Sequence, residues 1–177
     1  MIKALGTGSY HGSSGLDITD VSIEIGNYTS IGQNVNVMPG HHACVMNRDY
    51  VSTFPFGNLY DECAEAGYLL SGNKVPSVIR IFNDVWIGND VILSHGITIG
   101  NGAIIGQGTM VTKDVPDFAI VAGNPGEIKG TRFNHTLIGK LRVIQWWNWS
   151  LDTVKSRIED FREVHKFVTK YYAGESI

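Results

Sequence analysis

Several features that would place the chain in familiar classes are scarce or absent. Its two cysteines, Cys44 and Cys63, lie far apart and outside any CxxC or CxxH pattern, which argues against a disulfide framework and a structural zinc site. A net charge of -3 without a basic run argues against nucleic-acid binding. No apolar run reaches the length of a signal peptide or a membrane span, so we expect a cytoplasmic protein without a membrane partner.

What the sequence does contain is a repeat of six residues. Aliphatic residues recur at this interval through the middle of the chain, and a second small or aliphatic residue follows each of them by four positions. A shorter stretch with the same period precedes it, with Thr29 and Val35 in the second position. The repeated aliphatic positions are Ile25, Ile31 and Val37, then Ile81, Ile87, Leu93, Ile99, Ile105 and Val111.

A period of six fits neither an α-helix nor a plain alternating strand, but it suits short strands joined by turns. Each turn then forms one side of a coil, and stacked coils bury the aliphatic side chains while their backbones pair as in a parallel sheet. We therefore predict a mainly β fold built as a parallel β-helix. Within such strands side chains alternate, so Trp86, between Val85 and Ile87, is predicted to point outward.

The repeat is interrupted and then ends. Residues 38–80 break the period and are predicted to form a loop excursion, a kind of segment that often carries function. After Pro125 apolar residues follow helical spacing, with Asn134 and Ser150 as predicted N-caps. We predict a β-helix domain over residues 1–130 and a helical extension of two helices over residues 131–177, packed through Trp146, Trp147 and Trp149.

Five features occur in order: the six-residue repeat, Ser52-Thr53-Phe54-Pro55-Phe56, Asp84 to Gly88, Ala122 to Pro125, and Trp146 to Trp149. In this combination the chain resembles the hexapeptide-repeat xenobiotic acetyltransferases, which include streptogramin A acetyltransferases and one type of chloramphenicol acetyltransferase. Sugar O-acetyltransferases look similar over the same features. The resemblance implies a left-handed coil, a homotrimer with sites between subunits, acetyl-CoA as co-substrate, no required metal, and a histidine as general base.

The base implied by the resemblance lies shortly before the Ser52–Phe56 motif, where His41 and His42 are adjacent. We predict that His42 is the base and keep His41 as the alternative. An alcohol attacks a thioester poorly at neutral pH, and an imidazole with an ordinary pKa of about 6.5 can accept its proton. The predicted reaction is direct attack by an acceptor hydroxyl in a ternary complex; the oxyanion donor stays open.

The remaining predicted site residues divide into two groups. An aromatic-lined wall suits an apolar acceptor, and the predicted acceptor-binding residues are Tyr50, Ser52, Thr53, Phe54 and Trp86. Acetyl-CoA is expected along the late coils, and its predicted contacts are Ser94, Gly106, Thr112, Lys113, Gly123, Asn124, Pro125 and Lys129. His95 lies at a turn and is predicted to be an exposed residue without a ligand role.

Three other functions and one other mechanism remain open. The acceptor could belong to a nucleotide-sugar or polysaccharide pathway and be modified on nitrogen or oxygen. A γ-type carbonic anhydrase uses the same scaffold, but this sequence shows no evident set of three histidines on spaced coils. The chain could also be a non-catalytic scaffold, or Cys44 could act as a covalent nucleophile.

Overall fold

The computed structural model of the chain describes residues 2–11, 22–38, 51 and 78–173. In these residues thirteen short strands form three sheets, followed by helices. The strands are β1 Ile2–Leu5, β2 Tyr10–His11, β3 Ser22–Ile25, β4 Ser30–Ile31, β5 Asn36–Met38, β6 Val78–Ile81, β7 Trp86–Ile87, β8 Ile92–Ser94, β9 Thr98–Ile99, β10 Ile104–Ile105, β11 Met110–Val111, β12 Ala119–Ala122 and β13 Glu127–Thr131.

Consecutive strands from β3 to β11 fall in the three sheets in rotating order, so each turn of chain contributes one strand to each sheet. Face 1 consists of β1, β3, β6 and β9, face 2 of β2, β4, β7, β10, β12 and β13, and face 3 of β5, β8 and β11. Ile104 pairs with Trp86 and Met110 with Ile92, both in parallel register. Paired residues are 18 positions apart, so three hexads make one full turn.

The interior is the stack of residues that the repeat predicted. The aliphatic positions from Ile81 to Val111 and their followers from Val85 to Val115 are all buried, and Val37 is partly buried. Burying an aliphatic side chain of this size contributes about 1.5–3 kcal/mol, so the stacked coils supply most of the core. Two followers are threonines, Thr29 and Thr109, and both are fully buried.

The excursion between the early and late coils begins and ends at one corner of this stack. The last described residue before it, Met38, lies on face 3 and pairs with Ser94, while β6 re-enters on face 1 and pairs with β3. The regular coils therefore extend to Met38 and resume at Val78, so the break between them is slightly shorter than the predicted excursion of residues 38–80. We call the edge between faces 3 and 1, with residues 94–97 and 111–115, the loop corner.

The helical extension packs on a different edge, between faces 1 and 2. Phe118 lies against Phe133 and Trp147, with ring centroids 5.9 and 6.4 Å apart, and Tyr28 lies 5.1 Å from Trp146. The helices are α1 His135–Ile144, α2 Leu151–Ser156 and α3 Val164–Tyr171, with 3-10 turns at Trp146–Asn148 and Ile158–Arg162. The tryptophans thus pack where the sequence predicted.

Both predicted N-caps are confirmed. The side chain of Asn134 accepts the Leu137 backbone N–H at 2.9 Å, and that of Ser150 accepts the Thr153 N–H at 3.2 Å. The prediction of a single second helix is wrong, because the backbone leaves helical geometry at Arg157 and again at Glu163. No helix in the part of the chain that the structure describes is long and apolar enough to cross a membrane.

The last coil ends in a feature that the repeat did not predict. After β12 the chain turns through Gly123–Pro125, with a cis Asn124–Pro125 bond, and β13 returns antiparallel to β12. The parallel coils end at this turn, and residues 127–131 form an antiparallel edge strand.

Candidate functional site

The loop corner places candidate residues in a column of three coils. Met38 pairs with Ser94, and β11 continues the same register, so Lys113 follows in the coil above His95. Successive strands in a sheet lie about 4.8 Å apart, which sets the spacing of the column. This corner is therefore the place where the excursion leaves the stack and where the late coils present Lys113.

Next to this column lies a cleft of about 290 Å³ at the end of the stack. Thr112 and Lys113 line it on the loop-corner side, and both are exposed. The opposite side comes from the start of β13, where Gly126 donates its N–H to the Met110 carbonyl at 2.8 Å. The lining residues are Val111, Thr112, Lys113, Asp114, Val115, Val121, Gly126, Glu127 and Ile128.

The cleft contains two carboxylates that sequence reasoning missed. Asp114 accepts the backbone N–H of Thr98 at 2.8 Å and so holds the corner in place. Glu127 forms an ion pair with Lys129 at 2.8 Å, and its hydrogen bond to that lysine lowers the pKa of the Glu127 carboxyl. A strand at Glu127 could have been predicted from the alternation of charged and apolar residues from Glu127 to Lys129, which is typical of strands.

Other predicted cofactor residues lie around this end of the stack rather than in the cleft lining. Ser94 is only 7% exposed and lies at the start of the loop corner. Gly106 lies at the edge between faces 2 and 3, where its N–H bonds to the Val121 carbonyl at 2.8 Å. The turn at Gly123, Asn124 and Pro125 is exposed and leads into β13, which carries Lys129.

Trp86 lies on the outside of face 2, as predicted, with 47% of its surface exposed. Its strand neighbours Ser30 and Ile104 share this outer row, and Ile120 continues it. On face 1 the corresponding outer row carries Glu24 paired with Arg80 at 3.3 Å. Face 2 is therefore the more apolar of these two outer surfaces.

The predicted base and most predicted acceptor contacts cannot be placed. His41, His42, Tyr50, Ser52, Thr53 and Phe54 lie outside the described residues. Within residues 2–11, 22–38, 51 and 78–173, no three His, Cys, Asp or Glu side chains are grouped so that they could hold a metal ion.

Known proteins are similar to this chain in sequence. The family described as "Bacterial transferase hexapeptide (six repeats)" matches residues 79–113. A chloramphenicol acetyltransferase of Klebsiella aerogenes is 38% identical over 160 residues, which cover 85% of this chain and 75% of that protein. The chain belongs to the hexapeptide-repeat xenobiotic acetyltransferase family. It is therefore an acetyltransferase.

One further sequence relative and one solved structure are also similar to this chain. A probable macrolide acetyltransferase of Lysinibacillus sphaericus is 33% identical over 138 residues, covering 76% of this chain and 74% of that protein. The solved structure of a maltose O-acetyltransferase from Clostridium difficile 630 has a TM-score of 0.54 and 27% identity. That match covers 75% of this chain, which spans 60% of the length of the maltose enzyme.

Proposed function

We propose that the protein transfers the acetyl group of acetyl-CoA to a hydroxyl of a small, partly apolar acceptor of the chloramphenicol type. The observation that carries this proposal is the cleft holding Thr112 and Lys113 beside the corner where the excursion with His41 and His42 leaves the coils. The 38% identity to a chloramphenicol acetyltransferase over most of the chain supports the acceptor class.

The scaffold for this reaction would be a left-handed parallel β-helix over residues 1–130, with residues 131–177 as a helical extension. The rotating order of parallel strands among three sheets supports a β-helix, and the likeness to the hexapeptide-repeat family supports the left hand. The donor acetyl-CoA is made and used in the cytoplasm, which is where we place the protein.

In the proposed mechanism His42, or His41 in its place, takes the proton of the acceptor hydroxyl. The oxygen of the acceptor hydroxyl then forms a bond to the acetyl carbonyl carbon, giving a tetrahedral oxyanion. When that oxyanion collapses the carbon–sulfur bond breaks, and the CoA thiolate takes the proton from the imidazolium. His42 follows Met38 by four residues, a length of chain that spans at most about 14 Å. The base is thus tethered to the loop corner.

The cofactor would lie against the end of the stack. The cleft offers the exposed residue Thr112 and the ammonium of Lys113, which suit an amide-rich pantetheine arm and a phosphate. Lys129 would be a second cation for a phosphate, although Glu127 holds it in an ion pair at 2.8 Å. Ser94, Gly106 and the Gly123–Pro125 turn remain proposed contacts along the adjoining coils.

The functional assembly would be a homotrimer in which the outer row of face 2 meets a neighbouring subunit. The exposed Trp86, with Ile104 beside it and Ile120 next in the row, is an apolar surface suited to a protein contact or an acceptor wall. Tyr50, Ser52, Thr53 and Phe54 would supply the rest of the acceptor wall.

The direct test is acetyl transfer by purified protein, followed by release of free CoA. The panel contains chloramphenicol, a streptogramin A, a macrolide, maltose and a nucleotide-linked amino sugar. We expect the highest kcat/KM with chloramphenicol or another apolar alcohol. Highest activity on maltose would support the second candidate, a sugar acceptor, which the similarity to the maltose enzyme favours.

The base is tested by His42→Ala and His41→Ala in the same assay. We expect His42→Ala to lose at least about 100-fold in kcat while it still binds CoA, because general-base catalysis contributes about 100- to 10,000-fold. His41→Ala should retain most of the activity. A folded, CoA-binding His42→Ala protein with unchanged kcat would refute this assignment, and a loss confined to His41→Ala would transfer it to that residue.

A further inference from the structure

A second cavity lies where the helical extension meets the coils, at the edge between faces 1 and 2. Its volume is about 110 Å³, and it is partly open to solvent. Among the described residues, the coils contribute Asp84 and Phe118 to its walls, and the extension contributes Arg132 and the lining residues that follow it. None of these residues also lines the cleft at the end of the stack. The proposed acetyl transfer makes no use of this cavity.

Aromatic rings form most of its walls. The ring centroids of Phe118 and Phe133 lie 5.9 Å apart, and that of Phe161 lies 4.9 Å from those of both Trp146 and Phe167. Phe118 and Phe167 are only 1% and 4% exposed, so these walls belong to the packed core of the extension. The ring pairs are tilted or edge-on, which are favourable arrangements that a further ring can extend. The walls therefore suit a flat aromatic molecule.

One end of the cavity is polar. Arg132 Nη1 donates to Asp84 Oδ2 and to the Gly102 carbonyl, each at 2.9 Å. The guanidinium carbon of Arg132 lies 5.8 and 5.2 Å from the ring centroids of Phe118 and Phe133, so the aromatic walls hold the ion pair in place. Within the described part of the chain, Nε and Nη2 of Arg132 and Oδ1 of Asp84 form no hydrogen bond. The pair thus keeps both donor and acceptor capacity for a guest.

The size and charge of the cavity define the guest. Apolar cavities of about 150 Å³ bind benzene, so a partly open cavity of about 110 Å³ has room for one six-membered ring. The ion pair is neutral overall. A carboxylate on the guest would meet Asp84 and an ammonium would meet Arg132, whereas a hydroxyl can donate to Asp84 and accept from Arg132. Water is a poorer occupant, because it needs about two to four polar partners and most of the walls are aromatic.

We propose that this cavity binds an uncharged aromatic alcohol of one ring, with the ring among the phenylalanines and the hydroxyl on the Asp84–Arg132 ion pair. The site is separate from the proposed acetyl transfer and does not depend on it. Because the walls come from both the coils and the extension, the bound molecule would stabilise the contact between them.

The experiment titrates the full chain, with methyl-labelled leucine and valine, with three probes of similar size: phenol, toluene and benzoate. The Kd is taken from the methyl NMR signal of Leu141, which lines the cavity and is 4% exposed. Val164→Phe places a ring in the cavity from the start of α3. Val143→Phe is the matched control, since Val143 is 63% exposed on α1 and does not line the cavity.

We expect phenol to shift the Leu141 signal saturably and to show nuclear Overhauser effects from its ring protons to the Val164 methyl groups. Phenol should bind about fivefold more tightly than toluene, because hydrogen bonds to charged groups offset its loss of water. A purely apolar cavity would show the opposite order, since phenol would lose hydrogen bonds to water without replacement. Benzoate should bind about tenfold more weakly than phenol, because its charge would meet the Asp84 carboxylate.

The variants locate the site. Val164→Phe should weaken phenol binding about tenfold or more, because its ring occupies the space that the guest needs. Val143→Phe should keep the Kd within about twofold, as expected of a surface substitution.

Several results would overturn the inference. In the unmodified protein these are the absence of a saturable Leu141 shift, the absence of contacts to the Val164 methyl groups, and tighter binding of toluene or benzoate than of phenol. None of these requires a variant to fold. A folded Val164→Phe protein that binds phenol as tightly as the unmodified protein would have the same effect. The proposed acetyl transfer is measured separately by release of free CoA, so it can fail or succeed independently.

Discussion

Two buried threonines at equivalent repeat positions should respond in opposite ways to the same substitution. Thr29 donates its hydroxyl to the Phe82 carbonyl at 2.8 Å and accepts the Val85 N–H at 3.4 Å. The hydroxyl of Thr109 is buried with no partner among the described residues. Both side chains are fully buried, so replacing either with valine changes hydrogen bonding far more than volume.

The cause is a shorter turn above Thr109. Gly26 and Ser30, on either side of Thr29, bond to the carbonyls of Ile81 and Val85, which are four residues apart. The equivalent neighbours of Thr109 bond to carbonyls only two residues apart, those of Val121 and Gly123, where the chain turns toward β13. The Ala122 carbonyl stands at the register position of the Phe82 carbonyl, but no hydrogen bond joins it to the Thr109 hydroxyl.

The expected magnitudes follow from the cost of leaving a buried polar group unpaired, about 1–3 kcal/mol. Thr29→Val should destabilise the protein by about 2 kcal/mol, because it leaves the Phe82 carbonyl and the Val85 N–H without this partner. Thr109→Val should leave the free energy of unfolding unchanged or raise it by about 1 kcal/mol. For a chain of this size, 1 kcal/mol shifts Tm by roughly 2–4 °C.

The assay is urea unfolding followed by circular dichroism, at one protein concentration because subunit assembly changes apparent stability. The difference between the two variants, about 2–3 kcal/mol, is the decisive quantity, since it cancels the shared effect of exchanging threonine for valine. Equal losses in both variants would refute the reasoning, and so would a larger loss for Thr109→Val.

Three more predictions concern the coil corners and the extension. Gly102→Ala should lower the free energy of unfolding in urea by about 2 kcal/mol more than Gly108→Ala does. A Cβ at Gly102 would lie 2.5 Å from a phenylalanine ring, whereas a Cβ at Gly108 would meet open space. The two glycines have similar φ angles, +66° and +68°. Arg132→Met should lower the free energy of unfolding by about 2 kcal/mol at pH 7, because it leaves the Asp84 carboxylate without its ion-pair partner. The loss should be smaller at pH 4, because burial already raises the pKa of Asp84 and protonation would remove the unpaired charge. Asp160→Asn should lower Tm at pH 7. Because hydrogen bonds from Lys170 and Tyr171 lower the pKa of Asp160, that difference should persist as the pH falls and vanish only well below pH 3.8. Equal losses for the two glycine variants would contradict the first expectation. An Arg132→Met loss that does not change with pH would contradict the second, and an Asp160→Asn difference in Tm that is already lost at pH 5 would contradict the third.

The candidate site was predictable in part. The run Val111 to Lys113 continues the repeat, so its place at the end of the stack and beside a turn could be read from spacing. The opposite wall of the cleft could not be predicted in this way. Gly126 to Ile128 reach the cleft only because the chain returns antiparallel to β12, which breaks the six-residue period.

The sequence alone determined the coil interior, since stacking turns of a six-residue period buries every aliphatic position and pairs the backbone between neighbouring turns. It also determined the two helix N-caps, which are local hydrogen bonds. Only the tertiary structure decided which edge of the stack receives the helices and which edge releases the excursion. Those choices depend on contacts between residues far apart in the chain, such as Phe118 with Trp147 and Met38 with Ser94, and local spacing carries no information about them.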